Sequence, residues 1–266
     1  MLGSSFPIFV KVCGLTREED AAAAARFGAA AAGFIFSKSP RRVSPERARA
    51  IADVLPAHVV RVGVFVDEPS EAIRDIVARA NLDAVQLHGS EPPDVCADMP
   101  VPVIKALRVR GDDILPPPQA YVEAVAAFLL DTYSDVAAGG TGMVFSWEAI
   151  EKVRACGVPV IVAGGLTPDN VGALIEAFAP DGIDVSSGVE ESPGIKSAEK
   201  LRAFFLAARR AARARARSMG PEPDRAGRAS PGSDVRAKLT GSDPILAKRA
   251  LLERISWQRL HDRART

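Results

Sequence analysis

Eight short apolar runs, each followed by a segment of helical periodicity, dominate this chain and leave few folds open to it. The runs are residues 8–13, 31–36, 59–66, 84–88, 101–107, 127–131, 159–163 and 182–186. Helical patterns fall at 18–27, 45–54, 68–80, 93–99, 146–156, 170–179 and 198–217, with a shorter one near 119–125. Several open on start signals: Thr16 ahead of Glu18 and Glu19, Ser44-Pro45-Glu46, Ser146-Trp147-Glu148 and Thr167-Pro168-Asp169. In each, a hydroxyl is placed to cap free N–H groups of the first turn. Strands that are apolar on both faces and separated by helices imply a parallel sheet covered by helices, because parallel neighbours are joined only through crossovers. Eight such units in about 200 residues fit a closed α/β (β/α)8 TIM barrel. An open doubly wound sheet is the alternative.

The placement of polar and glycine residues favours closure. Cys13-Gly14, Ser39-Pro40-Arg41, His88-Gly89, Asp131, Gly164-Gly165 and Ser187-Gly188 all lie just beyond the ends of strand candidates. A barrel gathers those positions on one rim, where such folds do their chemistry.

After the eighth unit the pattern stops. Residues 209–217 alternate Arg with Ala and prolong the last helix, since both have high helix propensity. Residues 218–243 are rich in Gly, Pro, Ser and charge without an apolar period, which predicts a flexible segment. A weak helical pattern returns at Ile245, Leu246, Leu251, Leu252, Ile255 and Leu260. The expected division is a barrel domain over 1–210 and a mostly disordered extension over 211–266 with a short helix near 245–260. Removing the chain after Arg217 is expected to leave activity and melting unchanged.

Composition limits the remaining classes. The chain is 47% apolar and 25% charged, enough for a sizeable core and unlike a disordered protein. Its net charge of +1 conceals a split: 19 basic and 27 acidic residues through Ala208, then 15 basic and 6 acidic from Arg209. Three cysteines, Cys13, Cys96 and Cys156, cannot all pair and lack metal-finger spacing, which suits a reducing compartment. No signal-peptide pattern opens the chain, and no run reaches the ~20 apolar residues of a membrane span. A soluble, cytoplasmic protein is expected.

The rim residues have plausible chemistry alongside plainer roles. Cys13 is either a small buried hydrophobe or, facing solvent and substrate, a base whose pKa is lowered by nearby positive charge. Asp131 either caps the following turn or, with its pKa raised in an apolar rim, donates a proton near neutrality. The first and sixth strands set these two across the barrel mouth, an arrangement that suits a base and an acid. Gly139-Gly140-Thr141-Gly142, Gly164-Gly165 and Ser186-Ser187-Gly188 follow the sixth, seventh and eighth strands. Separately they are turns; together they match the backbone phosphate site of barrel enzymes. Arg41 suits a substrate carboxylate, whereas Arg42 reads as a solvated loop charge and His88 as a structural residue at the barrel end. Cys96 and Cys156, in or beside helices, read as core.

Taken in order, several segments resemble the phosphoribosylanthranilate isomerases of tryptophan biosynthesis. They are Val10-Lys11-Val12-Cys13-Gly14-Leu15-Thr16, Ser39-Pro40-Arg41, Val85-Gln86-Leu87-His88-Gly89, Leu130-Asp131, Gly139-Gly140-Thr141-Gly142, Ala163-Gly164-Gly165-Leu166, Asp184-Val185-Ser186-Ser187-Gly188-Val189-Glu190 and Pro193-Gly194-Ile195-Lys196. The resemblance implies a (β/α)8 barrel carrying out a metal-free and cofactor-free Amadori rearrangement. N-(5-phosphoribosyl)anthranilate would become 1-(2-carboxyphenylamino)-1-deoxyribulose 5-phosphate. It further implies Cys13 as general base, Asp131 as general acid and Arg41 as holder of the anthranilate carboxylate. Phosphate would rest on backbone N–H groups around Gly142, Gly164, Gly165, Ser187 and Gly188. A small phosphosugar is then the expected partner, with no membrane or nucleic acid, and the chain is a monomer or homodimer. Met143 and Ser197 depart from the family pattern without touching the acid or base, and the segment from about Arg217 lies outside it. The alternatives are a related aminoaldose isomerase, against which the thiol on the first strand argues, and a non-catalytic barrel whose basic extension binds nucleic acid.

Overall fold

A computed structural model describes residues 8–110, 113–131, 147–218 and 251. The elements follow one another as β1 (Phe9–Val12), α1 (Glu18–Phe27), β2 (Ala31–Ile35), α2 (Pro45–Asp53), β3 (Val60–Phe65), α3 (Ser70–Ala80), β4 (Ala84–Leu87), α4 (Pro93–Ala97) and β5 (Val103–Arg110). Then come β6 (Asp113–Leu115), β7 (Ala127–Asp131), α5 (Trp147–Arg154), β8 (Val160–Ala163), α6 (Val171–Phe178), β9 (Gly182–Val185), β10 (Glu190–Ser192), β11 (Ile195–Lys196) and α7 (Ala198–Ser218). Parallel pairing runs β4-β3-β2-β1-β9-β8-β7-β5, and a further β4–β5 pairing closes the ring. The fold is therefore the closed (β/α)8 barrel.

Strand parity sorts the side chains. Val10, Val12, Phe34, Leu87, Phe128, Leu130, Val160 and Val162 belong to the apolar layer between the sheet and its helices. Their alternate neighbours Phe9, Ala31, Val62, Ala84, Ile104, Leu129 and Ile161 form a second cluster. Successive residues of a strand point to opposite faces, so this second cluster is the barrel interior. Continuing the same parity upward brings Cys13, His88 and Asp131 to the C-terminal mouth.

Local chemistry sets the helix ends. Ser44 Oγ accepts from Arg47 N at 3.1 Å and Pro45 opens α2, as expected. Thr16 does not cap α1: Arg17 holds the cap position, and Thr16 Oγ1 donates to Gly194 O at 2.5 Å, tying the first rim loop to the β10–β11 hairpin. The segment expected near 119–125 is a 3-10 turn, Pro118–Tyr121. The short strand β6, antiparallel to the outer end of β5, escaped the periodicity because its three residues are at least partly exposed. Arg215 Nη1 donates to Glu176 O at 2.8 Å near the ends of α7 and α6. Both helices run back from the mouth, so α7 finishes at the N-terminal end of the barrel.

Candidate active site

Cys13 follows β1 and shares its inward face with Lys11. A Cβ on Gly33 of β2 would come within 2.9 Å of Cys13 Sγ and 3.2 Å of Lys11 Cε, so a glycine there is what gives both side chains room. Lys11 is completely buried and its Nζ lies 2.9 Å from Asp184 Oδ2. Burial opposes the Lys11 charge, but Asp184 and the neighbouring thiol outweigh it and hold the ammonium above its ordinary pKa. Of the two readings open for Cys13, a small buried side chain or a solvent-facing thiol with a lowered pKa, the structure has the buried one, 6% exposed. Burial pushes the thiol above its usual 9.0, Lys11 pulls it down, and Asp184 pushes it up again, with burial prevailing.

Across the mouth, Asp131 ends β7, which β9 and β8 separate from β1. His88 Nε2 lies 3.1 Å from Asp131 Oδ2, and Gln86 Nε2 lies 2.9 Å from His88 Nδ1. A Gln86 amide that donates to Nδ1 fixes the tautomer in which Nε2–H faces the carboxyl. Gln86 is buried and its Oε1 lacks a hydrogen-bond partner among the described residues. His88, read from sequence as structural, is thus brought directly against Asp131.

Arg41 stands in the loop after β2. Its Nε and Nη2 donate to Glu190 Oε1 and Oε2 at 2.9 and 2.7 Å. This bidentate pairing consumes one edge of the guanidinium and leaves Nη1 as the group it can offer elsewhere. Lys196 Nζ reaches Glu190 Oε1 at 2.7 Å and Ser186 O at 3.2 Å. Burial alone would raise the Glu190 carboxyl, but the hydrogen bonds from Arg41 and Lys196 hold it at about 2. Ser186 Oγ in turn donates to Cys13 O at 3.1 Å. One chain of polar contacts therefore runs from Arg41 to the backbone of Cys13. Arg42 is exposed.

Gly164 and Gly165 follow β8 with φ of 94° and 61°, a left-handed pair that side-chain-bearing residues avoid. Ser187 and Gly188 open a 3-10 turn after β9. N–H groups at such a start have no acceptor within the turn. A Cβ on Gly188 would sit 1.8 Å from Leu166 O, so the β8 and β9 loops touch here through bare backbone. These four residues lie together on one side of the mouth, whereas Gly142 falls outside the described residues. Cys96 is buried and Cys156 partly buried, away from the rim. Lys11, Gln86, Asp184, Glu190 and Lys196 were not picked out as site residues from the sequence. For Lys11 and Gln86 a signal existed, since each lies two positions before a rim residue on the same strand face.

A closed (β/α)8 barrel with a thiol, a carboxyl and glycine turns gathered at its C-terminal mouth has the build of a barrel enzyme that acts on a small substrate. More narrowly, the chain belongs to the N-(5'-phosphoribosyl)anthranilate (PRA) isomerase family, whose model matches residues 10–207. An N-(5'-phosphoribosyl)anthranilate isomerase of Geobacter metallireducens is 48% identical over 201 residues, covering 75% of this chain and 98% of that protein. The solved phosphoribosyl anthranilate isomerase of Thermotoga maritima superposes with a TM-score of 0.69 at 41% identity, covering 76% of this chain and 98% of the other. Another such isomerase, solved in complex with reduced 1-(o-carboxyphenylamino)-1-deoxyribulose 5-phosphate, gives 0.67 at 40% identity, with coverage of 76% and 98%. Among the described residues no helix is long and apolar enough to cross a membrane.

Proposed function

We propose that this chain isomerises N-(5'-phosphoribosyl)anthranilate to 1-(2-carboxyphenylamino)-1-deoxyribulose 5-phosphate, a step of tryptophan biosynthesis, with Asp131 as acid and Cys13 as base. The observation that carries the assignment is the pairing of two proton-transfer groups on opposite strands of one mouth in a chain of this family. Asp131 protonates the ribose ring oxygen as the C1'–O bond breaks, and the anthranilate nitrogen lone pair forms the C1'=N bond. Cys13 as thiolate then removes the C2' proton, and the electron pair moves into C1'=C2' to give the enolamine. In ketonisation the Cys13 thiol returns its proton to C1', which restores the thiolate, and the enol O–H proton passes to Asp131, which restores the acid. Protons and electrons balance without a co-reactant.

The surroundings suit these roles. Lys11, beneath Cys13, stabilises the thiolate that dry burial disfavours, and His88 orients the Asp131 carboxyl. Arg41 presents Nη1 to the anthranilate carboxylate while Glu190 fixes its other edge. The glycine turns at Gly164, Gly165, Ser187 and Gly188 offer backbone donors to the phosphate, joined by Gly142 from the loop after β7. The barrel domain is assigned to residues 1–210, acting in the cytoplasm as a monomer or homodimer. Three free thiols accord with a reducing compartment.

The test is a fluorescence assay following loss of phosphoribosylanthranilate in the presence of a chelator. Cys13→Ala and Asp131→Asn should each lower kcat by about 10²-fold or more, and Arg41→Ala should chiefly raise KM. Full turnover by Cys13→Ala would remove the mechanism.

A further inference from the structure

Half of the first inward positions at the N-terminal end of the barrel carry small side chains. Branched residues ordinarily fill a (β/α)8 interior, yet the first inward positions of β2, β4 and β7 are Ala31, Ala84 and Ala127, and that of β9 is Gly182. Phe9, Val60, Ile104 and Ile161 supply the bulk, and Phe9 and Ile161 lie against Gly182, where a Cβ would meet them at 3.0 and 3.2 Å. The layer is nonetheless dry and closed. Leu251, from the C-terminal extension, is 0% exposed and belongs to the same apolar cluster as Phe9, Ala31, Ala84 and Ile161.

Geometry sets the end at which Leu251 enters. Toward the C-terminal mouth the inward positions become largely polar, with Lys11, Gln86, His88, Asp131 and Asp184, although the cluster also reaches Ala163, level with Asp131. Ala30 and Ala126, which precede β2 and β7 at the opposite end, are part of the cluster. Helix α7 also finishes at that end. Residues 219–250 could reach on the order of 100 Å if extended, far more than the step from α7 to the barrel axis. Charge favours the same partner, since the chain through Ala208 carries 19 basic against 27 acidic residues and the stretch beyond α7, residues 219–266, carries 10 against 6.

We infer that the N-terminal mouth of the barrel is a docking site for this chain's own C-terminal extension, with Leu251 as the side chain that fills it. Leu251 then lies about one inward layer below the buried Lys11–Asp184 pair. An extension that composition alone marks as dispensable thereby contributes to the core.

Single substitutions in the full chain test this. Leu251→Asp should lower Tm by about 5 °C or more and speed tryptic cleavage at Lys248, Arg249 and Arg254 by about tenfold or more, with kcat/KM unchanged. Leu251→Ala should give a smaller fall in Tm, and Leu251→Met should stay close to wild type. If Leu251→Asp does not fold, the order of the Ala and Met variants still decides the matter. Wild-type melting and cleavage in Leu251→Asp, or in Leu251→Ala where the Asp variant is not recovered, would overturn the proposal. So would a wild-type Tm that rises with protein concentration and loses that dependence in Leu251→Asp, because a second copy would then supply the segment.

Discussion

Glu190 lies between two cations, Arg41 and Lys196, and its carboxyl is held at about 2 against an ordinary 4.5. A carboxyl lowered on folding stabilises the folded state fully above about pH 4.5, and that contribution is lost as pH falls toward 2. Glu190→Gln should therefore flatten part of the decline of Tm between those limits, as calorimetry across pH 2–6 would show. The same substitution frees the second edge of Arg41, so it should also raise KM more than it lowers kcat in steady-state kinetics. Cys13 and Asp131 could be found in the sequence because each falls at the end of a strand candidate, and Arg41 because it lies in the loop that follows one. Glu190 could not, since nothing local shows that a residue 149 positions along the chain from Arg41 is its partner. Burial of Cys13 was equally hidden: the dryness around it comes from Lys11, Gly33 and Asp184, which belong to three different strands.

At the level of elements, alternation of apolar runs with helical periods specified nearly every barrel strand and helix. The local pattern failed where a connection is short or rich in proline. The 3-10 turn Pro118–Tyr121 and the strand β6 both lie in such a stretch. Thr16 carried a capping signal, yet its hydroxyl bonds Gly194 O from a hairpin far along the chain. Contact between the β8 and β9 loops is likewise a matter of tertiary approach, closest at Gly188. Gly188→Ala would drive a Cβ into Leu166 O. It should part the two loops and raise KM about tenfold or more, with kcat less affected. Competitive inhibition by inorganic phosphate, weakened in parallel, would locate the damage at the phosphate end of the substrate.

For the whole molecule, the decisive contact joins the first strand of the barrel to the last. Lys11 of β1 pairs with Asp184 of β9, residues directly opposite in the parallel register and both buried. Asp184→Asn leaves a buried ammonium without its counterion and should cost about 3–5 kcal/mol, read as a lower urea midpoint. Replacing both partners, as in Lys11→Met with Asp184→Leu, should recover much of that loss, because two apolar side chains leave no stranded charge. Period and spacing were enough to specify eight βα units, a parallel sheet and a rim carrying a thiol, a carboxyl and an arginine, because those properties depend on neighbours within a few residues. Which groups face one another across the mouth, how dry the thiol is, and whether a basic extension reaches the core depend on closure. That step brings residues more than 150 positions apart into contact at a distance that local sequence does not encode.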